Sequence, residues 1–257
     1  MSAPTVEPAV GRRLRPRLVA IVEYTWRSCL PPRRWAAIVA ASVGALFFAV
    51  LSRAVDRPAD DAFANVAAEG ILGLVVPIAV LVAGDAVLGA EVRSGTFLFT
   101  WMSPTPTWQI VLGRWIGGVS GALVTVVPAC ALAAIVAGSS ASAVPLAVAS
   151  AMAAVSYVAL FILIGCLTRR TAVWSLAVVF LVERLLGAAL TGIAQLSPTW
   201  ESRAIFVGLL DDPPSRLLRG GIPAGGAAIG RLAVIAVVAL VLSSWRMRHM
   251  KLSGPAD

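Results

Sequence analysis

The residue types that most often carry out catalysis are scarce in this sequence. It contains one histidine, His249, and one lysine, Lys251. A P-loop needs a lysine directly after its glycines to reach the phosphates of ATP, and no glycine-rich turn precedes Lys251. A single histidine excludes zinc sites built on two histidines and argues against serine–histidine catalysis. The sequence therefore predicts no enzyme active site, no metal site and no cofactor bound by this chain.

The three cysteines form no recognisable motif. Cys29, Cys130 and Cys166 show no paired spacing, which argues against a disulfide framework. Two of them lie in or at the edge of apolar runs, so we interpret them as packing residues.

Two charged residues, Glu183 and Arg184, stand near the middle of an apolar run. An uncompensated charge at the centre of a membrane costs at least about 2.5 kcal/mol, so both need protein or water around them. On the helical face that carries Arg184, the residues that follow are small or polar and include Thr191 and Gln195. We expect a translocation path or a subunit interface formed by Glu183, Arg184, Thr191 and Gln195, and a structural ion pair is the alternative.

The most informative segment is an elbow between two apolar runs, at about residues 89–106. Gly95 permits a sharp turn, and Thr96 can cap a short apolar helix over Phe97–Met102. Ser103-Pro104 ends that helix, and Thr105-Pro106 starts the next with threonine as the cap and proline at the first helical position. The elbow is therefore predicted to present a short, partly exposed apolar helix. Such a helix beside a membrane usually has a protein partner.

Three glycines recur at intervals of four after the elbow. Gly113, Gly117 and Gly121 lie on one helical face and allow a second helix to approach closely. Packing within the chain is the favoured interpretation, and a subunit interface is the alternative.

Apolar runs of about 16 to 25 residues dominate the chain, the length a helix needs to cross a hydrocarbon core of about 30 Å. Hydrophobic residues make up 59% of the sequence and charged residues 13%, whereas about a quarter of the residues in a soluble domain are charged. We predict an all-α polytopic membrane protein. Its six spans are expected at Trp35–Leu51, Glu69–Leu88, Ile110–Ala137, Val144–Leu167, Val173–Leu196 and Ala227–Trp245.

The net charge of +8 does not indicate nucleic-acid binding, because the charges sit on short segments between apolar runs. With both ends of the chain inside, fourteen arginine and lysine residues fall in cytoplasmic segments and six in outer segments. This bias predicts an N-in/C-in topology. Residues 1–34 then form a cytoplasmic leader with a basic amphipathic interfacial helix, residues 35–245 the six-span domain and residues 246–257 a basic cytoplasmic tail.

The longest outer segment covers residues 197–226. Its apolar piece, Ala204–Leu210, is too short to span a membrane. We expect a re-entrant or surface-lying helix there, which lipid tolerates only if protein or a cavity covers its free backbone groups.

The elbow also carries a resemblance to a known family. The elbow has a Glu-x-x-x-Gly-Thr motif, then a short apolar helix, then Ser-Pro and an apolar stretch that ends in Gly-Arg. This order resembles the ABC-2 type permeases, the membrane subunits of ATP-binding-cassette transporters. The matching residues here are Glu91, Gly95, Thr96, Pro104, Gly113 and Arg114. The layout of a basic leader, six spans and a longer last outer loop resembles that family as well.

This resemblance implies a function for the elbow. In that family it is the coupling helix that docks on a separate ATPase subunit, so the implied contact residues are Glu91, Arg93, Gly95, Thr96, Phe97, Leu98, Phe99, Trp101 and Pro104. The resemblance implies two permeases, identical or sister chains, on two ATPase subunits that hold ATP and magnesium. We expect export of a small or lipid-like substrate by alternating access, across a bacterial inner membrane. A non-transport assembly or scaffold subunit is the alternative.

Overall fold

The computed structural model describes residues 16–29, 32–54, 58–97, 100, 102–168, 170–186, 195–219 and 225–249. Every regular element in these ranges is helical, which confirms the all-α prediction. The α-helices are α1 (Arg17–Cys29), α2 (Pro32–Arg53), α3 (Ala59–Val66), α4 (Val76–Gly84), α5 (Ala90–Ser94), α6 (Thr107–Ala137), α7 (Ala143–Leu167), α8 (Thr171–Ala177), α9 (Pro198–Gly208), α10 (Ser215–Arg219) and α11 (Gly226–Arg248). Three π-helical segments, Ala67–Val75, Asp85–Gly89 and Val178–Leu186, join or extend them.

Four helices in the described residues are long and apolar enough to cross a membrane. They cover Asp60–Val92, Thr107–Ala137, Ser140–Leu167 and Gly226–Arg248, and coincide with the second, third, fourth and sixth predicted spans. The chain is therefore a membrane-embedded helical protein. The first and fifth predicted spans correspond to shorter apolar helices, Val39–Arg53 and Thr171–Leu181.

The second predicted span is longer than the sequence indicated. Its helix already begins at Ala59, so Asp60 and Asp61 lie in the first helical turn and not in an outer loop. Acidic residues stabilise that end of a helix because they face its positive dipole. Pro77 lies directly after the point where π-helical turns give way to α-helical turns, at Val76. Proline lacks an N–H group, so a change of helical turn at this point loses little hydrogen bonding.

Helix α7 lies at the centre of the fold and packs against α4, α6, α9 and α11. Small side chains make these contacts close. Ser156 of α7 donates a hydrogen bond of 3.0 Å to the carbonyl oxygen of Leu232 in α11, and the Trp115 indole of α6 donates one of 3.0 Å to that of Val155. Hydrogen bonds between helices are favourable in a membrane, where no water competes for the groups.

The segment 197–226, which is predicted to lie on the outer side, contains a buried helix. Helix α9 begins at Pro198, six residues before the predicted apolar piece, and the Ser197 hydroxyl accepts the Trp200 backbone N–H at its N-terminus. Ala204, Ile205, Phe206 and Val207 are buried in a helix that packs against α7 and α11. Protein thus covers this helix, as the sequence argument required for a short apolar piece at this position.

Candidate functional site

A buried ion pair fixes the elbow to the start of α6. The Glu91 carboxylate in α5 receives two hydrogen bonds from the Arg114 guanidinium, at 2.6 and 3.1 Å. The Arg114 side chain is 1% exposed and that of Glu91 10%. The bidentate geometry suits a buried pair, because two parallel bonds compensate for the water that both charges lose.

The remaining contacts of Arg114 gather the elbow around its guanidinium. It donates to the Val87 carbonyl oxygen and, at 3.4 Å, to the Thr100 hydroxyl. It also lies 5.8 Å from the centre of the buried Phe97 ring, at the range of a cation–π contact. Gly95 ends α5 with φ of 76°, the left-handed conformation that glycine adopts without strain, and so turns the chain back toward α6.

Both terminal helices of the described chain reach the same elbow. Arg17 at the start of α1 donates a 2.9 Å hydrogen bond to the Pro104 carbonyl oxygen. Arg248 at the end of α11 donates one of 3.1 Å to the Thr107 hydroxyl. Burial of the Tyr24 hydroxyl in α1, together with the neighbouring Glu91 carboxylate, raises the pKa of that tyrosine. The elbow is thereby connected to α1, α6 and α11 through polar contacts.

The predicted contact residues of the elbow divide into buried and exposed positions. Glu91 and Phe97 are buried and face Arg114, whereas Gly95, Thr96 and Pro104 are exposed. Met102 is 70% exposed. Phe97 and Thr100 are helical, whereas Met102, the last residue of the predicted short helix, lies in a turn. The Arg93 side chain, Leu98, Phe99 and Trp101 lie outside the described residues.

One detail of the elbow differs from the sequence prediction. Pro106, not Thr105, is the N-terminal cap of α6, which begins at Thr107 without a side-chain cap. The Thr107 hydroxyl instead accepts a hydrogen bond from Arg248. The threonine at the start of α6 therefore contacts α11 and does not cap its own helix.

The glycine face of α6 packs on α1. A Cβ atom at Gly117 would lie 2.7 Å from the Thr25 Cβ and 2.9 Å from the Val22 carbonyl oxygen. One at Gly113 would lie 2.8 Å from Ile21, and one at Gly121 would lie 3.1 Å from Cys29. The partners advance by four residues along α1 as the glycines advance by four along α6. The two helices therefore run alongside one another, and the glycines serve packing within the chain.

A second polar cluster surrounds Glu183 in the π-helical segment after α8. Its carboxylate accepts hydrogen bonds of 2.6 Å from the Tyr157 hydroxyl of α7 and of 2.6 Å from the Ser197 hydroxyl. The Tyr157 oxygen is also 2.6 Å from that of Thr199 in α9. Of the predicted stripe, Glu183 and Gln195 are described. Thr191 and the Arg184 side chain lie outside the described residues.

Two further ion pairs attach α9 to other helices. Glu201 is completely buried and lies 3.0 Å from Arg231 of α11. Arg203 donates two hydrogen bonds of 2.9 and 3.1 Å to Glu69. The Ser197-Pro198 pair was a signal that a helix begins there, because serine caps and a following proline are typical of helix starts.

The polar clusters described above hold helices together. No group of three histidine, cysteine or acidic residues in the described part of the chain could hold a metal ion. All three cysteines are buried. Gln195 and Arg231 line an open groove of about 570 Å³ together with apolar residues such as Leu196 and Val234.

Replacing Tyr157 by phenylalanine tests whether the Glu183 cluster stabilises the fold. Tyr157→Phe removes the hydroxyl that donates a hydrogen bond to the Glu183 carboxylate and contacts the Thr199 hydroxyl, so both buried groups lose a polar partner. We expect the free energy of unfolding in mixed micelles to fall by about 1–2 kcal/mol. Ser140→Ala is the control, because it removes an exposed hydroxyl in the turn between α6 and α7, away from this cluster. Equal losses for the two variants would contradict this assignment.

Comparisons with known proteins give no family assignment. No protein-family model matches the sequence, and no curated protein matches it significantly.

Proposed function

We propose that this chain is the membrane permease subunit of an ATP-binding-cassette transporter of the ABC-2 type. The observation that carries the proposal is the buried Glu91–Arg114 pair at the elbow. The two residues are 23 positions apart and both belong to the motif on which the family resemblance rests. Their contact, together with the turn at Gly95, makes that motif one compact unit at the base of α6.

The contacts of the elbow support a role in coupling to a motor. Arg114 joins Glu91 of α5 and Thr100 of the elbow to α6, and we infer that these contacts pass a force on the exposed surface around Thr96 and Met102 to both helices. ATP and magnesium belong to two partner ATPase subunits, and two permeases, identical or sister chains, sit on them. ATP-driven closure of the ATPases exports a small or lipid-like substrate by alternating access. Such coupling requires that ATP and substrate favour different states of the permease.

Six spans with both ends inside are the proposed topology, in a bacterial inner membrane. Arg17 and Arg248 support it, because both bind the elbow and so place the start of α1 and the end of α11 at the same end of the bundle. Helix α2 and the helix that starts at Thr171 supply the two spans beyond the four long apolar helices. The polar cluster at Glu183 and the groove at Gln195 mark the proposed translocation path.

A charged substitution on the exposed part of the elbow tests the proposal. Met102→Asp places a carboxylate on the proposed docking surface without touching the buried pair. An unpaired charge is costly to bury, and changes at the central hot-spot residues of an interface cost about 2 kcal/mol or more. We therefore expect recovery of the ATPase with the tagged permease to fall more than about tenfold. The measurement is co-purification from native membranes, with the ATPase identified by its P-loop peptide.

Leu209→Asp is the control. Leu209 is apolar and exposed like Met102, with 47% exposure, but it directly follows α9 and lies outside the elbow. It should leave ATPase recovery unchanged. Full recovery with Met102→Asp would reject docking at this surface. If the unmodified permease recovers no P-loop ATPase at all, the alternative of a non-transport assembly or scaffold subunit replaces transport.

A further inference from the structure

A groove lies between the first turns of α6 and the last turns of α11. It has a volume of about 380 Å³ and is lined by Trp108, Val111, Leu112, Leu240, Val241, Ser244, Trp245 and Arg248. A water molecule occupies about 30 Å³ in the liquid, so the groove has room for a phosphate group and part of an acyl chain. Its residues change in character along its length, from polar and aromatic at the helix ends to aliphatic further along.

The polar end of the groove is cationic, and no described carboxylate pairs with its arginine. Arg248 bonds to the Thr107 hydroxyl and, within the described residues, pairs with no carboxylate. Arg17, which bonds to the Pro104 carbonyl oxygen close to the start of α6, adds positive charge nearby, also without a described acidic partner. A guanidinium that donates only its Nε–H to the protein keeps two Nη groups for a planar, bidentate contact with an anion.

The aromatic residues locate this groove at a membrane surface. Trp108 and Trp245 are 49% and 60% exposed. Exposed tryptophans on spanning helices sit at the level of lipid headgroups, where the indole N–H finds polar partners and the ring finds apolar ones. Below them, Val111 and Val241 continue the lining with aliphatic side chains.

We propose that this groove binds one anionic phospholipid of the adjacent leaflet. The phosphate contacts Arg248 and Ser244, and an acyl chain lies against Val111, Leu240 and Val241. Basic pockets between spanning helices are suited to anionic headgroups, and charge complementarity selects this occupant over a zwitterionic lipid. The bound lipid touches both the start of α6 and the end of α11, and so reinforces the contact that Arg248 already makes with Thr107. This inference does not depend on the proposed transport function.

The test counts lipids bound to the delipidated, full-length protein by native mass spectrometry. The probes are phosphatidylglycerol and phosphatidylcholine with identical acyl chains, added in detergent. We expect one phosphatidylglycerol to bind at least about tenfold more tightly than phosphatidylcholine, since a charged hydrogen bond contributes about 1.5–3 kcal/mol. Arg248→Gln should remove most of that preference. Arg53→Gln, which removes an exposed arginine at the end of α2 and outside the groove, should keep it.

Arg248→Lys keeps the positive charge at this position. It tests whether the loss of lipid binding in Arg248→Gln is caused by the missing charge or by misfolding. It should bind phosphatidylglycerol more weakly than the unmodified protein but retain a preference over phosphatidylcholine. The proposal is overturned if Arg248→Gln binds phosphatidylglycerol normally, if Arg248→Lys shows no preference, or if Arg53→Gln loses as much binding as Arg248→Gln. Equal binding of the two lipids by the unmodified protein would overturn it as well.

Discussion

Glu91→Gln is expected to lower the free energy of unfolding by about 3–5 kcal/mol, the range found when one partner of a buried ion pair is removed. The substitution preserves the shape of the side chain but leaves the Arg114 guanidinium, 1% exposed, without a counter-charge. Its remaining acceptors, the Val87 carbonyl oxygen and the Thr100 hydroxyl, are neutral. Reversible unfolding in mixed detergent micelles, followed by far-ultraviolet circular dichroism, measures the loss.

Two controls separate the buried pair from a general effect of charge. Arg27→Gln breaks the Arg27–Glu23 pair of α1, whose arginine is 75% exposed, and should cost less than about 0.5 kcal/mol. The double variant Glu91→Gln/Arg114→Met removes both charges and should recover most of the stability, because no unpaired charge is left. If the double variant loses the sum of the two single effects, the ion pair does not explain the stability of the elbow.

Adding one methyl group at Gly117 is expected to separate α1 from α6. In Gly117→Ala the new Cβ lies 2.9 Å from the Val22 carbonyl oxygen, a backbone atom that no side-chain rotation can move. Overpacking of this kind costs about 1–3 kcal/mol. The loss is measured as unfolding free energy, and faster protease cleavage of the leader would report release of α1.

The glycine positions give a graded series with an internal control. Gly113→Ala meets the Cγ2 methyl group of Ile21 at 2.8 Å, and Gly121→Ala meets the Cβ of Cys29 at 3.1 Å. Neither meets a backbone atom as close as the Val22 carbonyl oxygen, so both should cost less than Gly117→Ala. Gly230→Ala in α11 meets nothing within 4 Å and should stabilise its helix slightly, by about 0.5–1 kcal/mol. A loss at Gly230 as large as that at Gly117 would show that the α1 contact is not the cause.

Helices α6 and α7 were predictable almost to the residue, since long apolar runs end sharply at polar or breaking residues there. The predicted Val144–Leu167 is the observed Ala143–Leu167. The early start of the second span was missed, because Asp60 and Asp61 look like loop residues until the dipole of the helix is considered. Boundaries set by local chemistry were thus accessible to sequence reasoning, and boundaries that depend on charge placement were less so.

The candidate site was predictable as a segment but not as a set of contacts. The turn at Gly95 followed from the sequence, because only the local backbone is involved. The Glu91–Arg114 pair depends on how α5 and α6 meet, which no local pattern encodes. The same holds for Glu201 and Arg231, whose pairing requires α9 to lie against α11. Sequence periodicity reports which face of a helix is buried, and the partner is decided by tertiary packing.

The contact between α1 and α6 constrains the order of events during biosynthesis. Cys29 leaves the ribosome 92 residues before its partner Gly121. At a translation rate of about 5–20 residues per second, α1 exists for roughly 5–18 s before the surface that receives it has been made. Because α1 is amphipathic, it can lie on the membrane surface during this time, with its apolar face on the lipid and its arginines in water. The surface-lying helix predicted from the leader sequence is thus the expected state of α1 in the nascent chain, and docking on the glycines is a late step of folding.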